Sequence, residues 1–289
     1  MKRLSVLFLA LVVMLACAGC GGNDNKQEAP APAAEEKSDK VGALMPIGMD
    51  ETSYKHWTES VAQYEGRPAE YTAPKTVVFY DNMNAMIMAL EAKQIDRFAT
   101  SNRIATYIVN HNDKLAFVDK QEYNSILGYS IGMLEKDAAQ IEEINAAIKA
   151  MKDDGTIDKL VKENIIDVGN GEPAPADMPM IDGAPTLKVA ITGDMPAMDF
   201  VTADGKPAGF NVAFLSELST RINKNIELVD VDAGARSAAL TSGQVDALFW
   251  VIGTYDQEGK ALPYPLDNTN GFAVSIPYLM DSRAGVTLK

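Results

Sequence analysis

Apolar positions change period repeatedly along this chain. Residues 40–44 read as a short strand, and residues 76–80, a run of β-branched and aromatic residues, predict another. Residues 52–64 between them predict a helix. Residues 82–92 carry Met83, Met86, Ile87 and Leu90 at three- and four-residue spacing, which predicts a helix with one apolar face. A strand at 95–99, a helix at 102–110 and an extended segment at 124–134 follow, then helices at 137–151 and 155–164. The second half predicts strands at 187–192, 226–231, 245–251 and 284–288, with helices at 209–222 and 234–242. Strands separated by helices imply parallel sheets with crossover connections, an α/β class.

Two stretches break the pattern. Residues 21–39 (GGNDNKQEAPAPAAEEKSD) lack aliphatic and aromatic anchors, so they predict a flexible tether. Residues 169–185 (GNGEPAPADMPMIDGAP) read as a linker. Lys2 and Arg3 precede an apolar run at 4–15, which is too short to span a bilayer and predicts an export signal over residues 1–20. Ala16-Cys17-Ala18-Gly19-Cys20 resembles a lipobox with Cys20 as the lipidated residue, and Cys17 stays open as the alternative. The chain is then expected to be exported and lipid-anchored, on the outer face of the cytoplasmic membrane or in the periplasm.

Charge narrows the partners. The net charge of −14 argues against nucleic acid or an anionic membrane surface bound through a basic patch. His56 and His111 lie on separate segments without ligand spacing, so no metal site is expected, and the chain has no P-loop, dinucleotide fingerprint or nucleophile elbow. No cofactor is expected. Met83, Met86 and Met88 read as packing residues.

Residues 186–289 open TLKVAITGDMPAMDFVTADGKPAGFNVAFLSEL and continue through VDAGARSAALTSGQVDALFW. That segment resembles the beginning of the extracellular solute-binding proteins of family 3, the amino-acid-type receptors of ABC importers. DNMNAMIMALEAKQIDRF, YSIGMLEKD and INAAIKAMKDDGTIDKLVKEN, within residues 40–165, resemble the second lobe and closing helices of the same family. What normally ends the chain comes first. The resemblance implies a bilobed, periplasmic-binding-protein-like (type II) α/β fold of two parallel-sheet lobes joined by a hinge, circularly permuted. Residues 40–127 would be lobe 2 and 128–289 lobe 1. Hinge strands would lie at 128–134 and 284–288, and 169–185 would join the old termini. Lys40 and Lys289 should then lie close together, with the lobes joined covalently through 128–134 alone.

Ligands of open α/β sheets bind beyond the carboxyl ends of the strands. That rule selects Asp194, Met195, Met198 and Phe200, then Asp232, Ala233 and Arg236, then Trp250, Thr254 and Tyr255, and in the other half residues 45–52, Asp81, Thr100, Ser101 and Asn102. Arg236 lies in GARSAAL, which resembles the NRIPxL segment of some acidic amino-acid receptors, so it is either a carboxylate fork or one half of an internal ion pair. Trp250 is a stacking surface or a core aromatic. Asp194 binds an ammonium or caps a turn, and Asp81 caps the helix after it or touches ligand.

Two departures stand out. The family's hydroxyl-rich loop and carboxylate-clamping arginine are replaced by FWVIGTYDQEGKAL, and its TDSPVA-like segment by TSNRIA, with Ser101 where the ammonium-binding aspartate belongs. A free α-amino acid would lose both charged partners, at about 2–5 kcal/mol each. The chain is therefore read as a substrate-binding lipoprotein for a small polar solute, amino-acid-like or carboxylate-bearing, not held in the usual amino-acid manner. It would serve an ABC permease and would not be an enzyme. The alternatives are a ligand sensor or scavenger, and a cyclohexadienyl-dehydratase-like enzyme using Asp194, Asp232 and Arg236.

Overall fold

The computed structural model describes residues 39–49, 51–63, 76–118, 126–263 and 265–289. The expected signal segment, Cys20 and nearly all of the tether lie outside the described residues. The first half runs β1 (Lys40–Leu44), α1 (Glu51–Gln63), β2 (Thr76–Tyr80), α2 (Met83–Glu91), β3 (Arg97–Ser101), α3 (Asn102–His111), β4 (Leu115–Phe117) and β5 (Ile126–Leu134). Then come α4 (Ala138–Asp153), α5 (Thr156–Val161), β6 (Thr186–Ile191), β7 (Asp194–Met195), β8 (Asp199–Val201), β9 (Pro207–Ala208) and α6 (Phe210–Ile222). The chain finishes with β10 (Asn225–Asp230), α7 (Arg236–Thr241), β11 (Ala247–Tyr255), β12 (Phe272–Val274) and β13 (Leu279–Leu288).

The fold is α/β and bilobed. Its main path of strands is β10-β6-β11-β5-β13-β3-β1-β2, with β12 on β5 and β4 on β13. Each half-sheet has the same plan: three parallel strands, then an antiparallel one. In one half β10, β6 and β11 are parallel and β5 runs against β11; in the other β2, β1 and β3 are parallel and β13 runs against β3. β13 belongs to both. Leu279–Ser282 pair with Tyr129–Ile126 of β5, and Arg283–Thr287 pair with Ser101–Arg97 of β3.

This corrects the expectation of a single covalent connection. β13 passes from one half to the other between Ser282 and Arg283. The reason is length: β13 starts five residues before the predicted strand and is long enough to serve both half-sheets.

The two ends of the described chain meet. Val41 pairs with Arg97, and Arg97 with Thr287. Asp96 bonds to both sides: its Oδ2 accepts from the Lys40 N–H at 2.7 Å, its N–H donates to the Lys40 carbonyl at 2.9 Å, and its carbonyl accepts from Thr287 Oγ1 at 3.0 Å. One strand therefore separates β1 from the end of β13, roughly 10 Å across the sheet.

Apolar faces built these halves as the periodicity predicts. α2 buries Met83, Met86, Ala89 and Leu90, whereas Met88 points outward at 70% exposure, so only two of the three methionines pack. In the other half α6 buries Phe210 and Phe214, which stack towards Phe249 and Tyr278. Boundaries moved where pairing extended a strand. β3 runs to Ser101, so Thr100 and Ser101 are strand residues, and β11 runs to Tyr255 because its antiparallel pairing with β5 continues to Ile126. The small antiparallel sheet β7-β8-β9 was not predicted; its strands are two and three residues long, too short to show a period.

Candidate functional site

Two adjoining regions fill the space between the half-sheets. One is a polar seam, in which groups of the two halves bond directly. The loop after β1 enters it. The Ile47 N–H donates to Asp267 Oδ1 at 2.6 Å, and the Ile47 carbonyl accepts from the Asn268 N–H at 2.8 Å. Arg236 sits at its centre, 2% exposed. Its guanidinium donates to the carbonyls of Ala233 (3.1 Å), Trp250 (2.8 Å) and Met45 (3.0 Å), and stands 3.9 Å from Asp267 Oδ1. Asp267 also accepts from the Ile252 N–H at 2.7 Å. Burial pushes Asp267 up and Arg236 down, each towards its neutral form, while their mutual attraction opposes this. Backbone donors surround the carboxylate and backbone carbonyls surround the guanidinium.

The seam continues along the mouth. The Asp81 carbonyl accepts from the Ala233 N–H at 2.8 Å. Asp194 reaches across to the amino end of α2, where its Oδ2 accepts from the Asn84 N–H at 3.1 Å. A carboxylate at a helix amino end is favoured by unpaired N–H groups and the helix dipole. Burial nevertheless holds its pKa above the usual carboxylate range. The residue capping α2 with its side chain is Asn82, which accepts from the Ala85 N–H at 2.8 Å; Asp81 does not, contrary to expectation, because the helix begins one residue later.

The second region is an apolar cavity of ≈ 80 Å³. Val41, Leu44, Val77 and Phe79 of one half face Trp250 and Ile252 of the other across it, with Leu127 and Tyr129 from the crossing strand β5. Trp250 is 5% exposed, and its indole N–H is buried without a hydrogen-bond partner among the described residues. Its φ is +79°, the left-handed region, at a bulge where the β11–β5 register shifts between Phe249 and Val251. A bulky residue there stores backbone strain of about 1–3 kcal/mol. The bulge aims the carbonyl at Arg236 and the ring at the cavity and Tyr129, whose ring centroid lies 5.4 Å away. On the opposite wall Ser101 caps α3, its hydroxyl accepting from the Ile104 N–H at 3.4 Å, and shares side-chain hydrogen bonds with Tyr129 and Asp281. Burial lifts both Tyr129 and Asp281.

Residues 187–260 match the profile of the bacterial extracellular solute-binding proteins, family 3. That family 3 segment covers β6 to β11 and so supplies Asp194, Arg236, Trp250 and Ile252. No curated protein matches the chain. Among solved structures it is similar to the alkanesulfonate-binding protein SsuA from Xanthomonas axonopodis pv. citri bound to MOPS, at 14% identity and a TM-score of 0.37, covering 89% of this chain and 67% of that one. It is similar to the methionine-binding protein MetQ at 11% identity and a TM-score of 0.37, covering 87% and 83%. It is also similar to the ligand-binding component of an ABC-type import system from Staphylococcus aureus with zinc bound, at 11% identity and a TM-score of 0.37, covering 88% of this chain and 66% of that one.

The residues that the carboxyl-end rule selects fall in different places. Thr100, Ser101 and Trp250 line the cavity. Asp194 and Arg236 lie in the seam: the Arg236 guanidinium is engaged by the protein itself, while Asp194 has Oδ2 on the Asn84 N–H and Oδ1 buried without a hydrogen-bond partner among the described residues. Met195 and Thr254 are buried away from the cavity lining, Phe200 is half-buried in β8, and Asn102 is exposed at the start of α3. Neither Asp194, Asp232 nor Arg236, the set a dehydratase reading needs, lines the cavity. Sequence reasoning missed Tyr54, Tyr129, Leu266 and Arg283. Tyr129 and Arg283 lie on the crossing strands β5 and β13, which the rule does not cover. The signal available was alternation along β5, whose inward residues include Leu127 and Tyr129.

Proposed function

We propose that this chain is the extracytoplasmic receptor of an ABC importer, holding a small solute between its two lobes and presenting the closed form to a permease. The observation that carries this reading is the cavity itself: side chains from both half-sheets enclose it, so occupancy and closure are coupled. The family 3 match supports it on the Trp250 side. Lipidation at Cys20 would keep the receptor at the membrane that houses the permease.

We further propose that the chain order is a circular permutation, with residues 40–127 as lobe 2 and 128–289 as lobe 1. The Asp96 bridge between Lys40 and Thr287 supports it, since ends one strand apart can be joined by a short loop. A chain rebuilt with Lys289 linked to Lys40 and opened within 169–185 should fold with the same circular dichroism and melting behaviour; failure to fold would refute the permutation.

The receptor reading is tested by native mass spectrometry of protein purified without refolding. A co-purified small molecule should be released by unfolding and should raise the melting temperature when added back. At a hundredfold over its dissociation constant it contributes roughly 2.7 kcal/mol. Protein that emerges empty and is stabilised by no member of a broad solute panel is not a receptor.

A further inference from the structure

The loop after β1 carries one residue across to the other half. Residues 45–49, Met-Pro-Ile-Gly-Met, fold around a β-turn: the Met49 N–H donates to the Pro46 carbonyl at 3.3 Å, and Gly48 takes the third position with φ +62°. Glycine adopts that left-handed conformation without strain, and it closes the turn. Ile47, at the tip, is 2% exposed. The buried residues it clusters with include Ala190 of β6, Val231, Ala239 and Leu240 of α7, and Leu248 and Val251 of β11, all in the half built on β10, β6 and β11. An isoleucine of one half therefore sits in the core of the other. Its backbone is held there as well. The Ile47 N–H donates to Asp267, the Ile47 carbonyl accepts from the Asn268 N–H, and Arg236 reaches the Met45 carbonyl, at 2.6, 2.8 and 3.0 Å. Gly48 lies close against Asn268: a β-carbon at position 48 would stand 3.1 Å from the Asn268 β-carbon. Pro46 and Met49, on either side of this knob, line the cavity, as does Leu266 next to Asp267.

We propose that the turn Pro46–Met49 is a latch: Ile47 seats in a socket of the other half and holds the two halves closed before any solute arrives. The groups that make the latch are all the protein's own, so closure does not wait for a guest. Burying the Ile47 side chain favours the closed form by roughly tenfold to a hundredfold, and the hydrogen bonds to the charged groups of Asp267 and Arg236 add to this. A solute in the adjoining cavity then lengthens the life of the closed form and does not create it. The latch does not depend on the receptor reading, and either can fail alone.

The test is amide hydrogen exchange and small-angle scattering on the full chain, dialysed until native mass spectrometry shows it empty. The Ile47 and Asn268 amides should exchange at least tenfold more slowly than in unstructured chain. Ile47→Ala empties the socket: exchange at Asn268 should quicken roughly tenfold or more, and the radius of gyration should rise. The Asp96 and Asn225 amides, which bond inside their own halves to the carbonyls of Lys40 and Pro185, both at 2.9 Å, should keep their rates. Gly48→Ala strains the turn and crowds Asn268 while sparing the socket, and should speed exchange at Asn268 about threefold to tenfold. Unprotected Ile47 and Asn268 amides in the wild-type chain overturn the latch, and so does an Asn268 rate that Ile47→Ala leaves unchanged. An Ile47→Ala chain that fails to fold, or that loosens Asp96 and Asn225 as much as Asn268, shows Ile47 to be core common to both halves, and the latch falls too.

Discussion

Trp250 belongs to both the polar seam and the apolar cavity, and it shows how differently the two are built. Its carbonyl serves the seam, accepting from Arg236, while its indole ring walls the cavity. Ile252 is divided in the same way: its N–H donates to Asp267 and its side chain lines the cavity. In the seam the Arg236 guanidinium and the Asp267 carboxylate are both taken up by groups of the protein itself, and they hold the loop after β1 to the other half. The cavity beside it is walled mainly by hydrocarbon from both halves.

The sharpest way to break this contrast is at Asp267. Asp267→Ala leaves the Arg236 guanidinium buried without its counter-charge and two backbone N–H groups without an acceptor, and should cost about 3–5 kcal/mol in denaturant unfolding. A loss below about 1 kcal/mol would mean that the seam is solvated.

Ala43→Leu should separate the two regions from the other side. It puts three carbons into the cavity and touches no seam group, so solute binding should fall at least tenfold while unfolding free energy stays within about 1 kcal/mol. Overpacking that unfolds the protein would show the cavity walls to be rigid core.

Asp194→Ala removes the contact with the amino end of α2. The expected loss is about 1 kcal/mol, with a larger radius of gyration by small-angle scattering in the absence of solute. Unchanged scattering would assign closure to the Arg236–Asp267 cluster alone.

The smallest effect is with pH. Burial raises Asp194, Asp199, Asp267 and Asp281 above the ordinary carboxylate value of 3.8. The folded state then takes up their protons before the unfolded state does, so stability grows as pH falls from neutrality and is lost as pH rises through the raised values. Half-buried Glu91 and exposed Asp154 and Asp204 are shifted down, and their contribution fades only below ordinary values of 4.5 and 3.8. The melting temperature should therefore rise by a few degrees from pH 7 towards 4.5 and fall below it. Asp194→Asn should flatten part of the rise; a steady fall from pH 7 would contradict the burial of these groups.

Much of the fold was legible. Period and β-branching located the long strands and helices, because each element exposes one face and buries another. Pairing was not legible. The extension of β11 to Tyr255 and the division of β13 between two half-sheets depend on which strand lies alongside, and partners such as Tyr255 and Ile126 are far apart in sequence. For the same reason Thr254, expected in a loop at the cleft, is a buried strand residue. Arg236 was read as either a carboxylate fork or one half of an internal ion pair, and the structure places its guanidinium 3.9 Å from Asp267 and against three backbone carbonyls. Its partner Asp267 lies in a segment without periodic pattern, so nothing local pointed to it.

The sequence by itself determined the α/β class and the likeness of residues 187–260 to the family 3 solute-binding proteins, since these are properties of local pattern and residue identity. The tertiary structure alone decided which charged groups face one another and which donor is left unpaired. Those outcomes depend on distances of about 3 Å between residues separated by up to some two hundred positions, and on a bulge that turns one tryptophan through a backbone conformation its side chain does not favour.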